Sequence, residues 1–269
     1  MKPCSILISS WCGHKAMELC IESILKRTNY KAYQIIVCDS SSPYGPDRKY
    51  LRNHKEKGNI ELLESDVRLQ HGQALWRLLS HCKTDLACIL DSDSEILSSD
   101  WLEIFTSQIQ DYEKDLGVGF LLKGDNRPNN DFFFTPLFHP SYLVLNMPLY
   151  RQIAKEDDWM CAKKDMKDFR YKKELQAMND EQASKWYESD RSLNRARIEY
   201  DAGAIFTERI IYENPGGLII HAMPIDFFSD KVRHYGGMSA YHTRLDHPHV
   251  SRKYELLIER LQILRGQNK

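Results

Sequence analysis

The chain lacks any long apolar run. Segments such as "ACIL", "VGFLL" and "GLII" fall far short of the roughly 18–20 residues that a membrane helix requires, so no integral membrane segment is expected. The opening "MKPCSILISSWCGH" has one lysine and returns to polar residues after a few apolar ones, and we read no signal peptide in it. There is also no surplus of charge. Lys and Arg number 37 against 38 Asp and Glu, a net charge of -1, which argues against a nucleic-acid clamp or a polybasic membrane binder, since both need a sustained positive field. The seven cysteines form no CxxC pair and no zinc spacing with histidine. Cys38 and Cys88 fall in apolar strand-like runs and Cys20 on an apolar helix face, so they read as small core residues in a reducing compartment. We therefore expect a cytoplasmic protein, or one peripheral to a membrane.

No repeat, low-complexity tract or separating linker interrupts the sequence. What remains is an ordinary globular composition, 42% hydrophobic and 28% charged. A chain of 269 residues buries about three quarters of its unfolded surface without disulfides or metal.

The first half alternates two periodicities. Strand-like runs occur at Ser5 to Ser9, Tyr33 to Asp39, Ile60 to Glu64 and Asp85 to Asp91. Helical spacing intervenes, with Met17, Cys20, Ile21, Ile24 and Leu25 on one face and Leu75, Leu78, Leu79 and Cys82 on another. Asp100 with Glu103 reads as a capping-box start to a helix through about Lys114. Near-continuous apolar strands separated by helices predict an α/β fold with a mostly parallel sheet covered on both faces.

The second half is less regular. "GVGFLL", "DFFFTPLF" and "LIIHAM" read as strands, "PLYRQIA" and "GAIFTERIIYEN" as helices, and Tyr254, Leu257, Ile258 and Leu261 as one face of a closing helix. The charge-rich stretch from Lys155 to Glu199 reads as solvated helices or a flap. We divide the chain into an α/β half (1–125), a less regular half of the same domain (126–247) and a C-terminal helix (248–269).

In an open parallel sheet, ligands bind beyond the carboxyl ends of the strands. Those ends here carry Ser9 and Ser10, then Asp39, Ser40 and Ser41, then Asp91, Ser92 and Asp93. In the extended run "CILDSDSEI", Asp91 and Asp93 project to one side. Their mutual repulsion is relieved by a cation, and oxygen ligands suit Mg²⁺ or Mn²⁺ completing its shell with substrate phosphates.

Taken in order, "SILISSW", "CIESILKRTNYKAYQIIVCDSSSPYG" and "HGQALWRLLSHCKTDLACILDSDSEI" resemble the GT-A-fold glycosyltransferases, most closely the inverting family 2 enzymes. "YLVLNMPLYRQI", "IEYDAGAIFTERI" and "RHYGGMS" extend the likeness more weakly. The resemblance implies a nucleotide-sugar donor, by default a UDP-sugar, held by residues 1–125, and a glycan or other hydroxyl acceptor met by the acceptor-side and catalytic half, 126–247. It implies that Ser9 and Ser10 contact the nucleotide, with Ser41 and Ser92 beside them. Asp39 would accept a hydrogen bond from base or ribose, and His71 and Gly72 would lie beside the nucleotide. Asp91 and Asp93 would hold the metal as a DxD motif, joined by a late histidine. His234, opening the glycine-rich "HYGG", is the first candidate and His221 the second. Imidazole beside carboxylates favours Mn²⁺ over Mg²⁺.

Inverting transfer needs a base for the acceptor hydroxyl. Asp201, ahead of a predicted helix, is the first candidate, with Glu188 and Asp190 as the second pair. We expect Asp201 at the N-terminus of that helix, with Gly203 behind it leaving room for substrate. Two other readings stand beside this one. The first is a non-catalytic nucleotide-sugar or carbohydrate binder on the same scaffold. The second is a DxD phosphotransferase or phosphatase, disfavoured because its motif belongs on the first strand and Glu95 stands where a Thr or Val is wanted.

Overall fold

The computed structural model describes residues 2–41, 43–122, 125–126, 132–134, 137–160, 162–165, 197–200, 202–236 and 248–267. Strands β1 (Cys4–Ser10), β2 (Tyr33–Asp39), β3 (Glu61–Glu64) and β4 (Leu86–Asp91) are parallel, with β1 between β2 and β4. Alternation along β1 shows why its apolar run is continuous. Ile6 and Ile8 face a core built with Met17, Cys20, Ile21 and Ile24 of α1 (His14–Arg27). Leu7 faces a second core with Leu75, Leu78 and Leu79 of α3 (His71–His81). Both faces are therefore dry, as expected of a covered parallel sheet. Helix α2 (Pro46–Glu56) adds Leu51 to the first core.

Strand β5 (Ser94–Ile96) follows β4 directly. Helix α4 (Trp101–Thr106) ends well short of the expected Lys114. The expected capping box is absent as well, and one aspartate underlies each departure. The Asp100 carboxylate accepts from the Ser98 hydroxyl and from Lys231 rather than capping the helix. Asp115 accepts from the amides of Gln110 and Asp111 at 2.9 Å, closing a turn before β6 (Asp115–Leu122).

Strand β9 (Leu137–Asn146) runs antiparallel between β4 and β6, and β12 (Ile219–Met223) is parallel to β6. Among the described residues the main sheet has seven strands in the order β12-β6-β9-β4-β1-β2-β3. Thus "DFFFTPLF" is not one strand. Its first part, β8 (Phe132–Phe134), lies in a smaller sheet with β7 (Asp125–Asn126), β10 (Ala162–Asp165) and β11 (Arg197–Tyr200), while its end opens β9. Helix α5 (Met147–Ile153) and helix α6 (Ala204–Glu208) add Tyr150 and Phe206 to the second core, where Trp159 stacks on Phe206 at 5.4 Å. Helix α7 (Ile225–Ser229) adds Phe228 to the first core, and β13 (Val232–His234) pairs antiparallel with β5. The last helix, α8 (Pro248–Leu264), packs Leu257 and Leu261 against Ala16 and Leu19 of α1. No described helix is long and apolar enough to cross a membrane.

Candidate functional site

Three chain segments converge where β4 ends, and each arrives by a register that can be counted. Strand β4 delivers Asp91 at its last position. The antiparallel pairing of Ile89 with Leu143, continued two residues, sets Ser141 opposite Asp91 and then His139 beyond the strand end. The Ser141 hydroxyl donates to Asp91 Oδ2. The pairing of Ser94 with His234 in the β5–β13 ladder brings an imidazole back over the turn. Tyr235 N–H continues that ladder by donating to the Asp93 carbonyl at 3.0 Å.

His234 Nε2 lies 3.2 Å from Asp91 and 3.0 Å from Asp93. His71, the first residue of α3, approaches Asp91 from the other side at 3.4 Å. Burial works against ionising Asp91, yet hydrogen bonds from His234 and His71 hold its carboxyl well below the usual carboxylate range. Burial likewise opposes charge on His234, but Asp91 and Asp93 push its pKa up to about 10. That field favours a protonated imidazole between the two carboxylates.

Among the described residues, Asp91, His139 and His234 present ligand atoms all within 4.8 Å of one another. The His139 and His234 rings lie 5.3 Å apart. Carboxylates and imidazoles in one half-buried cluster are a donor set that fits a divalent first-row cation, and Asp93 adjoins it through His234.

His139 escaped the sequence reading because its placement depends on the antiparallel register of a strand far along the chain. The local signal available was His139 with Ser141 at the period of two, one face of a strand. His221 is elsewhere. It pairs with Asp115 at 2.9 Å, and Asp115 accepts through its carbonyl from Asn146, the residue paired with Leu86 at the start of β4. That is the opposite end of the strands from Asp91, so His221 does not join the cluster.

Other rim residues are placed as follows. Ser9 and Ser10 end β1, paired with Cys38 and Asp39 of β2. The buried Ser10 hydroxyl has no hydrogen-bond partner among the described residues. Ser92 is buried in the turn after β4. Asp39 has no exposed surface. Its Oδ2 accepts from Arg48 Nε at 2.8 Å and from the Ser41 hydroxyl at 2.9 Å. The fully buried Arg48 of α2 also donates to the carbonyls of Ser41 and Ser65 and to Asp66. A base or ribose could meet that carboxylate only after Arg48 or Ser41 moved.

Gly72 has a packing reason. A Cβ there would stand 1.6 Å from the Trp159 carbonyl oxygen, backbone that cannot step aside. Gly203 departs from expectation in a related way. It takes φ +87°, and a Cβ there would meet the Trp159 ring at 3.1 Å, so the space beside it is filled by indole rather than left to substrate. Gly203 is also the N-cap of α6, which moves the expected cap two residues past Asp201. Asp201, Glu188 and Asp190 lie outside the described residues.

The glycosyl transferase family 2 model matches residues 5–158, more than half of the chain. Partial structural likeness extends to the mannosyltransferase PcManGT from Pyrobaculum calidifontis in complex with GDP-Man and Mn²⁺, at 17% identity and TM-score 0.45, covering 56% of this chain and 46% of that one. It extends to S. aureus TarS 1-349 in complex with UDP-GlcNAc, at 13% and 0.42, covering 56% and 47%. GalNAc-T7 with UDP, GalNAc and Mn²⁺ is similar at 14% and 0.45, covering 56% and 36%. The chain thus spans less than half the length of each of these three. No curated protein matches it.

Proposed function

Because the chain belongs to glycosyl transferase family 2, we propose that it moves one sugar from a nucleotide-diphosphate donor to an acceptor hydroxyl, with inversion. The observation that carries this reading is the convergence of Asp91, Asp93, His139 and His234 beyond β4, three of the four lying in the family-matched segment. These residues would hold Mn²⁺ or Mg²⁺, and imidazole ligands favour Mn²⁺. Such a cation, when bound, neutralises charge on a departing diphosphate.

The remaining roles belong to the chain. Ser141 fixes one Asp91 oxygen by its hydrogen bond, and His71 stands on the other. Ser9, Ser10, Ser41 and Ser92 line the same rim and offer hydroxyls and amides to the donor. Asp39 serves that surface from beneath, holding Arg48 and Ser41 in place. A UDP-sugar is the default donor and a glycan or other hydroxyl compound the acceptor. Asp201, just after β11, is the base that takes the acceptor proton, with Glu188 and Asp190 as the alternatives. Changing Asp201→Asn should cut kcat by roughly 10² to 10⁴ with donor binding unchanged, and near-normal turnover would transfer the role to Glu188 or Asp190.

Nucleotide sugars screened with Mn²⁺ by thermal shift, then assayed for turnover, test the whole reading. A true donor raises the melting temperature by mass action and is consumed only with acceptor present. A donor that binds without turnover across acceptors would make the protein a binder, and no binding at all would end the reading.

A further inference from the structure

Glu95 follows the Asp91–Asp93 turn by two residues and has no exposed surface. It is gathered in by cationic groups from three separate elements. Arg260 of α8 approaches it with two nitrogens, Nη2 at 2.7 Å and Nε at 3.0 Å from Oε1. Arg27 of α1 and Arg233 of β13 each lie at 3.7 Å. The Tyr235 hydroxyl donates to Oε2 at 2.8 Å. Tyr235 is the neighbour of His234, and Glu95 is the neighbour of Ser94, the strand partner of His234.

The β5–β13 ladder has three residue pairs, and an isolated two-stranded ribbon is marginal in water. Its register therefore depends on side-chain anchors: Ile96 and Val232 bury one end in the first core, and Glu95 with what binds it holds the part next to His234. A fully buried carboxylate is held only while it is paired, and the closest pairing comes from a helix that begins fourteen residues after His234. From this placement we infer that Glu95 and Arg260 are positioning residues. They couple docking of α8 to the seating of His234 against Asp91 and Asp93. The inference rests on the reading of that cluster as a divalent-cation site.

A second anchor, the residue just past the end of the same helix, supplies the control. Arg265 binds Glu22 at 2.5 Å and Glu18 at 3.1 Å on α1 and has no bond to Glu95. Loss of Arg265 should loosen α8 without touching the ladder.

The experiment is a calorimetric titration of Mn²⁺ into the full chain without donor, below the melting temperature, for wild type, Glu95→Gln, Arg260→Ala and Arg265→Ala. Paramagnetic resonance of bound Mn²⁺ should be read in parallel for coupling to imidazole nitrogen. Glu95→Gln and Arg260→Ala should weaken Mn²⁺ about 10- to 100-fold, the usual cost of losing a partner that orients a ligand, with weakened nitrogen coupling. Arg265→Ala should lower the melting temperature and leave Mn²⁺ affinity as in wild type. If Arg260→Ala does not fold, Arg260→Lys keeps the charge without the paired approach and should give a smaller loss in the same direction.

Wild-type affinity in Glu95→Gln and in the folded Arg260 variant would overturn the inference while leaving the cation site standing. Equal weakening by Arg265→Ala would also overturn it, since any loosening of the helix would then suffice. Failure of wild type to bind Mn²⁺ would remove the cation site itself, and this inference with it.

Discussion

Two acidic side chains flank β1 at its carboxyl end, Asp39 opposite Ser10 and Asp91 opposite Ser9, and they are neutralised in different ways. Asp39 is sealed, with 0% of its side chain exposed and a guanidinium bonded to it. Asp91 keeps 19% of its side chain open and is met by imidazoles. Arginine is permanently charged and offers no lone pair, so it cannot join its partner as a ligand to a cation. An imidazole that gives up its proton becomes a ligand itself. The same rim thus holds one carboxylate sealed by an arginine and one left partly open between imidazoles. The pattern of acids alone did not distinguish them.

The largest effect expected on this contrast is at Asp91. Asp91→Asn should reduce transfer to background while the chain stays folded, measured by turnover beside circular dichroism. Next is Arg48→Met, which strands the Asp39 carboxylate in the interior and should cost about 3–5 kcal/mol by denaturant unfolding. Adding Asp39→Leu to that variant should restore much of the loss, because it is the unpaired charge that is expensive. If Arg48→Met unfolds like wild type, Asp39 is not sealed as described and the contrast fails.

Gly72→Ala sharpens the same comparison at the seat of His71. Its methyl would collide with the Trp159 carbonyl and should cost about 1–3 kcal/mol, read as a shift in the unfolding midpoint at unchanged slope.

The smallest effect is at Glu18, where burial opposes ionisation but His14, Lys15 and Arg265 lower the pKa to about 2 from an ordinary 4.5. The folded pKa lies below the unfolded one, so its contribution is present above about pH 4.5 and is lost as pH falls through about 2. Wild type should therefore lose more melting temperature than Glu18→Gln between those limits. Parallel curves would show that the pairing adds nothing.

The strands of the parallel sheet were legible because burial on both faces writes itself as short apolar runs. Asp91 and Asp93 were legible because they follow such a run immediately. Arg48 was not, since an arginine in a polar helix reads as solvated and its pairing depends on α2 folding back over β2. His139 was not, because its position is set by an antiparallel register between strands about fifty residues apart in sequence. His234 could be favoured over His221 from its glycine-rich setting, but its approach to Asp91 depends on a three-pair ladder that no periodicity announces. Trp159 was also hidden. Its carbonyl explains Gly72 and its ring fills the space at Gly203, both consequences of chain crossings that local sequence does not record.

The central proposal is that Asp91 and its imidazole partners exchange a proton for a divalent cation that serves a nucleotide-sugar donor. A calorimetric titration of Mn²⁺ into wild type and Asp91→Asn, each with and without UDP, tests it most directly. The account predicts that Mn²⁺ binds wild type, that UDP tightens it, that protons are released as the ligands deprotonate, and that Asp91→Asn shows none of these. Equal Mn²⁺ binding by wild type and Asp91→Asn would contradict it.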